Sequence, residues 1–370
     1  MRRVGSVALV HDYLLVMRGA ERTFAAIADA FPDAPIYTLL CDHDAMAQRF
    51  GNRRVHTSYL QRLGIKQGGF RRLLPLFPSA VESLPLQEHD LVISSTSAFA
   101  HGVRPGNEAI HVSYRHSPFR YAWHEQPHAV EGAPRAFRPV LRRLLDRIRL
   151  WDLTASCRVS HSIANSALTR ERIHRFYDRD ASVVHPPVDV DRFSVGVPEG
   201  FFLVVTEVVA HKRVEIALEA ARRSRVPLKV VGDGPDLRRL RTAYGSTAEF
   251  LGRVSDAELA DLYSRARALV VPNVEEFGIA AVEAQAAGRP VIAADGGGAR
   301  ETVVPGETGL LVSPGDVDEL AQALRSTDFE RFSPARIRRH AEQFSVATFR
   351  RRFLAEVARV ARFDSVGAAV

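Results

Sequence analysis

Residues 268–312 read ALVVPNVEEFGIAAVEAQAAGRPVIAADGGGARETVVPGETGLLV, and this stretch decides the fold of the chain. The apolar run at 269–271 predicts a short buried strand. Residues 278–284 predict a helix, because Gly288 and the proline two positions later are typical of a helix C-terminus. A second buried strand is predicted at 291–294. This order of strand, loop, helix and strand is typical of a parallel α/β sheet.

The loop between the first strand and the helix predicts an anion site, since the amides and the dipole of a helix N-terminus attract negative charge. Glu275 lies in that loop, where its carboxylate can bind sugar hydroxyls. Glu283 lies about one and a half turns into the helix, within reach of a ribose diol. Two carboxylates around an amide cluster suit a nucleotide sugar. On geometry alone, an ordinary α/β helix with two solvated glutamates explains the pattern equally well.

The same stretch resembles the signature of the retaining glycosyltransferases of family 4, which have the GT-B fold. The two glutamates of the family's E-x7-E motif match Glu275 and Glu283. Glu276 replaces the glycine that usually follows the first motif glutamate. Further matches are Phe277 and Gly278, GGxxE at 297–301, and TGLLV at 308–312.

The resemblance implies an α/β chain of the GT-B fold, with two Rossmann-like, doubly wound domains facing a central cleft. We expect an acceptor-side domain at 1–195, a nucleotide-sugar-binding domain at 196–345, and a helix at 346–370 that crosses back to the first domain. In the second domain, strand-like runs alternate with helical segments, which independently predicts a doubly wound parallel sheet. Ligands of such sheets bind at the carboxyl ends of the strands.

The resemblance also implies how the second domain binds a donor. Glu275 would hold the donor sugar and Glu283 the ribose, while the amides of Gly278 and Ile279 would bind the phosphates. Lys212 matches the lysine that stabilises the leaving diphosphate, and one preorganised donor of this kind contributes about 3–4 kcal/mol.

One position departs from the family pattern. Glu207 stands where an arginine is usual, five residues before Lys212. A carboxylate there repels a diphosphate unless it points away or is screened. We hypothesise that Arg213 or Arg18 supplies the missing positive charge.

Two segments of the first domain add to the resemblance. YRHSPFRYAW at 114–123 is similar to the family's HTPxRYxW segment, and His116 takes the position of the histidine that contacts the transferred sugar. Without the resemblance, a structural role for this histidine is favoured. MRGAER at 17–22 resembles the GGAER loop beside the donor phosphates, from which Gly19 is carried over.

The predicted site is thus drawn from both domains. The predicted catalytic residues are His116, Lys212 and Glu275. The predicted donor-binding residues are Gly19, Lys212, Arg253, Glu275, Phe277, Gly278, Ile279 and Glu283. No cofactor and no metal are expected, because the lysine and the helix amides take the place of a metal.

The composition predicts a globular, cytoplasmic protein. The 370 residues are enough for two α/β cores. Cys41 and Cys157 fit a reducing compartment rather than a disulfide framework, and neither a signal peptide nor a membrane span is predicted. The net charge of +7 suits an anionic donor, anionic lipid or nucleic acid. Because no nucleic-acid motif is present, nucleic acid is not expected as a partner.

Two stretches, at 60–78 and 135–149, mix arginines with apolar residues, as segments in an anionic membrane interface do. For 135–149, a core-facing helix with a solvated basic face is the favoured interpretation. For 60–78, membrane docking and core packing are equally consistent. We predict that 60–78 docks the protein on the inner face of the plasma membrane, where a lipid-linked acceptor is presented.

A zinc-protease pattern is rejected on physical grounds. HEQPH at 124–128 fits HExxH, which requires both histidines on one face of a helix. Pro127 lacks the amide that the intervening helical turn needs.

The predicted function is that of a retaining glycosyltransferase in cell-envelope or exopolysaccharide synthesis, with a glycan or lipid-linked acceptor. The HTPxRYxW-like branch is rich in mannosyltransferases, so GDP-mannose is the expected donor and a UDP-sugar is the alternative. A nucleotide-sugar epimerase of the same fold and a non-catalytic nucleotide-sugar-binding protein are competing functions. A dinucleotide oxidoreductase is a third, although Gly232-x-Gly234 matches its motif weakly.

Overall fold

The computed structural model describes residues 5–64 and 69–361, which divide into two compact units. The first unit runs to His185 and resumes at Arg350, and the second comprises Pro186–Phe349. Each unit is built around one parallel β-sheet with helices on its faces.

The sheet of the first unit has seven parallel strands in the order β3-β2-β1-β4-β5-β6-β7. The strands are β1 (Val7–Leu14), β2 (Ile36–Cys41), β3 (Val55–Thr57), β4 (Leu91–Thr96), β5 (Ile110–Arg115), β6 (His161–Ala164) and β7 (Ala181–Val183). The helices are α1 (Gly19–Ala30), α2 (His43–Phe50), α3 (Phe77–Glu82), α4 (Gln126–Glu131), α5 (Arg138–Ser156) and α6 (Ala167–Tyr177). Short 3₁₀ segments lie at Tyr59–Leu63, Phe70–Leu76, Ala100–Gly102 and Arg135–Phe137.

The strand order of this sheet reverses beside β1, which lies between β2 and β4. His11 of β1 is opposite Ser95 of β4, and Thr96 of β4 is opposite Arg115 of β5. Because parallel strands end at the same sheet edge, the residues at the ends of β1, β4 and β5 are neighbours. A reversal of this kind is where doubly wound sheets bind ligands.

The sheet of the second unit has six parallel strands in the order β10-β9-β8-β11-β12-β13. The strands are β8 (Phe202–Val205), β9 (Leu228–Val231), β10 (Ala248–Gly252), β11 (Ala268–Val271), β12 (Val291–Ala294) and β13 (Gly309–Val312). The helices are α7 (Val214–Ser224), α8 (Leu237–Tyr244), α9 (Asp256–Arg265), α10 (Ile279–Ala286), α11 (Ala299–Thr302), α12 (Val317–Ser326) and α13 (Pro334–Glu342). The last described helix, α14 (Val346–Ala361), contains the boundary at Arg350.

The sequence of each element explains its place in the fold. Strands such as β4 and β12 are buried along their whole length, because helices cover both faces of a parallel sheet. Helices bury a single stripe; in α7 it contains Ala217, Leu218 and Ala221. Ser255 starts α9 with a reciprocal capping box to Glu258, which supplies acceptors for two amides at the helix end.

The prediction of an α/β chain with two doubly wound parallel sheets is confirmed. Each of the strands predicted for the second domain is present. The predicted segments 202–205, 228–231, 249–251, 269–271 and 291–294 correspond to β8, β9, β10, β11 and β12. The stretch 135–149 falls mainly in α5, whose Leu145 and Ile148 pack into the core, as the favoured interpretation requires.

The stretch 60–78 divides its apolar side chains between the core and the surface. Leu60, Leu73 and Phe77 are buried in the core of the first unit, whereas Leu63 and Leu76 are exposed. The part of this stretch at 65–68 lies outside the described residues. Membrane docking through 60–78 therefore stays a prediction. No helix within 5–64 and 69–361 combines the length and the apolar character that crossing a bilayer requires.

Candidate functional site

The reversal point of the second sheet brings together two predicted site residues. β8 and β11 are neighbours there, and their carboxyl ends face the same edge. Lys212 ends a 3₁₀ turn that follows β8, and Glu275 lies in the loop between β11 and α10. Doubly wound sheets bind ligands in the crevice at this point.

Lys212 and Glu275 form an ion pair. The Lys212 Nζ atom lies 2.8 Å from Oε1 and 2.6 Å from Oε2 of Glu275. Their side chains are 18% and 19% exposed, so the pair is reachable by a ligand yet partly shielded from water. Asn273 Nδ2 donates a third hydrogen bond to Glu275 Oε1 at 3.2 Å. The carboxylate is therefore held in one orientation by two side chains.

The backbone of the Glu275 loop is fixed by the glycine run that follows β12. The amide of Gly298 donates to the carbonyl of Glu275 at 3.0 Å. A Cβ atom at Gly298 would lie 2.2 Å from the Cα and carbonyl oxygen of Phe277, so only glycine permits this approach. Phe277 is buried and stacks edge-on with Phe344. Its role in the structure is to hold the loop rather than to present a polar group.

The N-terminus of α10 lies directly after this loop. Gly278 precedes the helix with φ +87°, a conformation that favours glycine. Among the described residues, the amides of Gly278 and Ile279 have no hydrogen-bond acceptor. Together with the helix dipole, they make this end of α10 positive, directly after the loop that carries Glu275.

Glu283 lies deeper in α10 and is held by two neighbours. It is only 8% exposed. Tyr263 Oη donates to its Oε2 at 3.0 Å, and Arg192 Nη2 donates to its Oε1 at 3.3 Å. Arg192 in turn stacks on Phe193 and pairs with Asp256. The carboxylate thus sits in a charged, hydrogen-bonded setting and not as a solvated surface group.

Three further residues lie at the same edge, and none of them has a side-chain hydrogen bond or an ion pair to Lys212 or Glu275. Glu207 follows β8 and is half-buried. Arg213, with φ +48°, is exposed and directly precedes α7, one residue after Lys212. Arg253 is exposed after β10, which is two strands from β8, or about 10 Å.

In the first unit, His116 ends a row of polar side chains that crosses three neighbouring strands. His116 Nε2 lies 2.9 Å from Ser95 Oγ, which lies 3.2 Å from Nδ1 of the buried His11. His11 Nδ1 also lies 3.0 Å from the carbonyl of Ser95, and its Nε2 lies 3.7 Å from Glu21 Oε1. The row fixes the orientation of the half-buried His116.

Asp12, next to His11, binds the loop after β4. Its buried carboxylate accepts hydrogen bonds from four successive backbone amides at 2.5–3.0 Å, and Thr96 Oγ1 donates a fifth at 3.1 Å. The four amides belong to Ser97, Ala98, Phe99 and Ala100. Gly19 begins α1 after Arg18, which caps the helix through Glu21.

A buried polar cluster on α5 binds the segment 116–123 through Trp123. Asp152 of α5 accepts hydrogen bonds from Trp123 Nε1 at 2.6 Å and Tyr177 Oη at 2.7 Å, and lies 2.9 Å from His101 Nε2. Burial opposes ionisation of Asp152, but His101 and the two hydrogen bonds outweigh burial and lower its pKa. Arg115 is also buried and lies over the Tyr177 ring at 4.7 Å.

The structure thus gathers one subset of the predicted donor-site residues in the second unit: Lys212, Glu275, Phe277, Gly278, Ile279 and, one turn deeper, Glu283. Sequence reasoning missed the residues that support His116 and Glu283, among them His11, Asp12, Ser95, Tyr263 and Arg192. HDY at 11–13 and SSTS at 94–97 gave a usable signal, since polar residues end two otherwise apolar strands there.

The two histidines of the HExxH pattern do not share a helix, since only His128 lies in α4. His124 precedes α4, Pro127 is in its first turn, and His128 is exposed. Across residues 5–64 and 69–361, no group of three or more histidine, cysteine, aspartate or glutamate side chains is placed to hold a metal ion.

Residues 189–343 match the family model described as glycosyl transferases group 1. A D-inositol 3-phosphate glycosyltransferase of Rhodococcus erythropolis is 35% identical over 220 residues, which is 50% of each chain. A GDP-mannose-dependent monoacylated alpha-(1-6)-phosphatidylinositol monomannoside mannosyltransferase of Corynebacterium glutamicum is 33% identical over 192 residues, 43% of this chain and 50% of the relative. These matches span about half the length of the curated relatives.

Solved structures extend the similarity in fold to nearly the whole chain. Anabaena HepE in complex with UDP-glucose gives a TM-score of 0.72 at 20% identity, over 95% of this chain and 99% of that one. Sucrose-phosphate synthase of Thermosynechococcus elongatus gives 0.71 at 20% identity, over 96% and 98%. The chain therefore has the GT-B fold, and its residues 189–343 are similar to the glycosyl transferases group 1 family.

Proposed function

We propose that this protein is a retaining glycosyltransferase that transfers a hexose from a nucleoside-diphosphate sugar to a glycan or lipid-linked acceptor. The observation that carries the proposal is the Lys212–Glu275 pair beside the free amides of Gly278 and Ile279. It combines positive charge and amide donors for a diphosphate with a carboxylate that can bind sugar hydroxyls. The family match of residues 189–343 supports the same reaction class.

The proposed donor-binding step exchanges the partners of the ion pair. The diphosphate binds the ammonium group of Lys212 and accepts hydrogen bonds from the amides of Gly278 and Ile279. Glu275 then leaves Lys212 and binds the sugar hydroxyls. Glu283, held by Tyr263 and Arg192, binds the ribose.

As the bond between sugar and diphosphate breaks, negative charge grows on the leaving oxygen. Lys212 and the amides are already in place to stabilise that charge, which is the source of rate enhancement in a preorganised site. These groups supply the positive charge that other transferases obtain from a divalent cation. We propose on this ground that the reaction needs neither a metal nor a cofactor. His116 contacts the transferred sugar in this proposal, and the oxygen of the leaving phosphate takes the acceptor proton.

We propose GDP-mannose as the donor. The segment 114–123 supports this choice, as does the GDP-mannose-dependent relative of Corynebacterium glutamicum. A UDP-sugar is the second candidate, since Anabaena HepE was solved with UDP-glucose. We place the protein in cell-envelope or exopolysaccharide synthesis, in the cytoplasm or peripherally on the inner face of the plasma membrane.

A calorimetric panel tests the proposal. GDP, UDP and ADP are titrated into the protein with and without their sugars, and GDP-mannose is expected to bind most tightly. The preferred donor is then incubated with and without a lipid extract in the presence of a chelator. Transfer of sugar to lipid is expected. Failure of every nucleotide to bind would refute a donor site, and an altered sugar without any acceptor would indicate an epimerase.

A second experiment addresses the stretch 60–78. Sedimentation with anionic and neutral vesicles is expected to show binding that Leu63→Asp with Leu76→Asp weakens, since both side chains are exposed. If this variant and the unaltered protein sediment equally with the vesicles, the stretch 60–78 does not contact the membrane.

A further inference from the structure

The outward face of α5 and the turn before it carry exposed apolar side chains. Phe137, Val140 and Leu150 are 65%, 64% and 66% exposed. The opposite face of the helix packs Leu145 and Ile148 into the core. At 100° per residue, Leu150 lies on the side of the helix opposite Leu145 and Ile148, and Val140 lies between that side and the buried one. These three apolar side chains therefore lie outside the core cluster and are mostly exposed to solvent.

The same surface carries four exposed arginines. They are Arg135, Arg142, Arg143 and Arg147. Within the described part of the chain, none of these four has an ion pair or a side-chain hydrogen bond. The one exposed acidic side chain of α5, Asp146, accepts a hydrogen bond from Gln126. Some exposed arginines elsewhere are paired, as Arg265 is with Asp261 and Glu199.

We infer that this surface, hereafter the α5 face, binds the headgroups of an anionic phospholipid membrane. Unpaired guanidinium groups attract lipid phosphates, and apolar side chains between them can enter the interface. Each arginine near such a surface strengthens binding about fivefold. Nucleic acid would satisfy the arginines but would leave three large apolar side chains in water, so lipid is the better match.

Helix α5 packs against the segment that carries His116, so a membrane bound to α5 would lie near that histidine. Arg149 Nε donates to the carbonyl of Ala122 at 2.6 Å, and Asp152 accepts from Trp123. The α5 face is thus separated by one helix diameter, about 10 Å, from the segment that carries His116. If the proposed function holds, a lipid-linked acceptor would be presented next to this segment. The membrane contact itself does not depend on catalysis.

Vesicle sedimentation of the full chain tests the inference. The protein is mixed with phosphatidylcholine vesicles that either contain or lack phosphatidylglycerol. Binding is expected to require phosphatidylglycerol. Val140→Asp with Leu150→Asp is expected to weaken binding at least tenfold, and Arg143→Gln with Arg147→Gln about 25-fold, at about fivefold for each arginine.

Two controls separate this face from other surfaces. Val197→Asp changes an apolar residue of the second unit that is 82% exposed, and it is expected to bind vesicles normally. A polarity-sensitive dye on the exposed Cys157, at the end of α5, is expected to shift to the blue on binding, because Cys41 is buried and reacts slowly. Nucleotide calorimetry on each variant reports whether the donor site is intact.

The outcomes are distinct. Vesicle binding that is unchanged in both α5 double variants overturns the inference, as does equal binding to vesicles without phosphatidylglycerol. If Arg143→Gln with Arg147→Gln loses binding to RNA but keeps its binding to vesicles, the α5 face binds nucleic acid and the inference is wrong. Failure of all nucleotides to bind, with vesicle binding intact, would refute the proposed function and leave the membrane contact standing.

Discussion

The ammonium nitrogen of Lys212 lies 2.8 and 2.6 Å from the two carboxylate oxygens of Glu275. The group assigned to the donor diphosphate and the group assigned to the donor sugar therefore neutralise each other before a donor binds. Neither charge is left unpaired in a partly buried setting, where an isolated charge is costly.

We expect Lys212→Ala and Glu275→Ala each to lower turnover at least tenfold. Removing one preorganised donor from the leaving group costs about 3–4 kcal/mol, well above that limit. We expect the fold to stay intact with a modest loss of thermal stability, because each variant leaves one partly shielded charge unpaired at the sheet edge. Turnover at the unaltered rate in both variants would contradict the site assignment.

The ion pair also predicts opposite effects of two variants on the binding of a nucleoside diphosphate without its sugar. Glu275→Gln releases Lys212, so affinity should rise about fivefold, equivalent to about 1 kcal/mol for a pair of this kind. Lys212→Met should lower the affinity. Calorimetry with GDP and UDP measures both, and a decrease in Glu275→Gln would show that the pair does not compete with the ligand.

Arg213 is predicted to supply positive charge in place of the arginine that Glu207 replaces. Its side chain has no ion pair in the described chain, and it directly follows Lys212. Arg213→Ala should lower kcat/KM about tenfold. Arg213→Gly is the matched control: it should lose as much activity yet gain about 1 kcal/mol of stability, because φ is +48°. Unchanged turnover in Arg213→Ala and in Arg18→Ala would contradict compensation.

Gly298→Ala should displace the Glu275 loop. The new Cβ would lie 2.2 Å from Phe277 backbone atoms, an overlap that costs about 1–3 kcal/mol. We expect lower stability in urea and weaker donor binding together. Gly200→Ala, with open space around its added Cβ, is the control and should change neither. Normal donor binding in Gly298→Ala would mean that this loop does not shape the site.

Tyr263→Phe tests whether Glu283 is positioned by its neighbours. The variant removes the hydrogen bond to Glu283 Oε2, worth about 1.5–3 kcal/mol to a charged group. The Kd for the nucleotide should rise about tenfold, with kcat little changed, because the ribose is remote from the reacting bond. A loss of stability with unaltered Kd would indicate a purely structural role.

His111 predicts a stability that falls in mild acid. Burial, with the positive charges of His101 and Arg115 nearby, lowers its pKa to about 3 from 6.5. The neutral form is thus favoured in the folded protein, so stability is complete above pH 6.5 and is lost as the pH falls toward 3.

Between pH 7.5 and 5.5 this one group should reduce the free energy of unfolding by about 1.4 kcal/mol. Urea unfolding at the two values measures the change, and His111→Asn should show a smaller one. An equal pH dependence in the variant would assign the effect to other groups.

The sheet architecture could be predicted from the sequence because it depends on local signals. Apolar runs such as 269–271 and helix ends such as Gly288 are readable without knowing any contact. The positions of Lys212 and Glu275 at one edge follow from the same pattern, since parallel strands share their carboxyl ends.

The ion pair between them, and the supports of Glu283 and His116, could not be predicted. Arg192 and Glu283 are 91 residues apart, and Asp12 and Ala100 are 88 residues apart. Such pairings are set by how helices pack on the sheets, and no motif in the sequence encodes them. The exposed arginines of α5 likewise required the structure, because the spacing 135–149 indicated only one apolar face.

Asp12 gives the two sheets different electrostatic characters despite their common strand order. In the first unit, this side chain already saturates a run of four amides with negative charge. In the second unit, the corresponding edge offers amides and a lysine to an incoming anion. The four amides after β4 are therefore already occupied by a side chain of the protein, whereas the amides of Gly278 and Ile279 have no acceptor among the described residues.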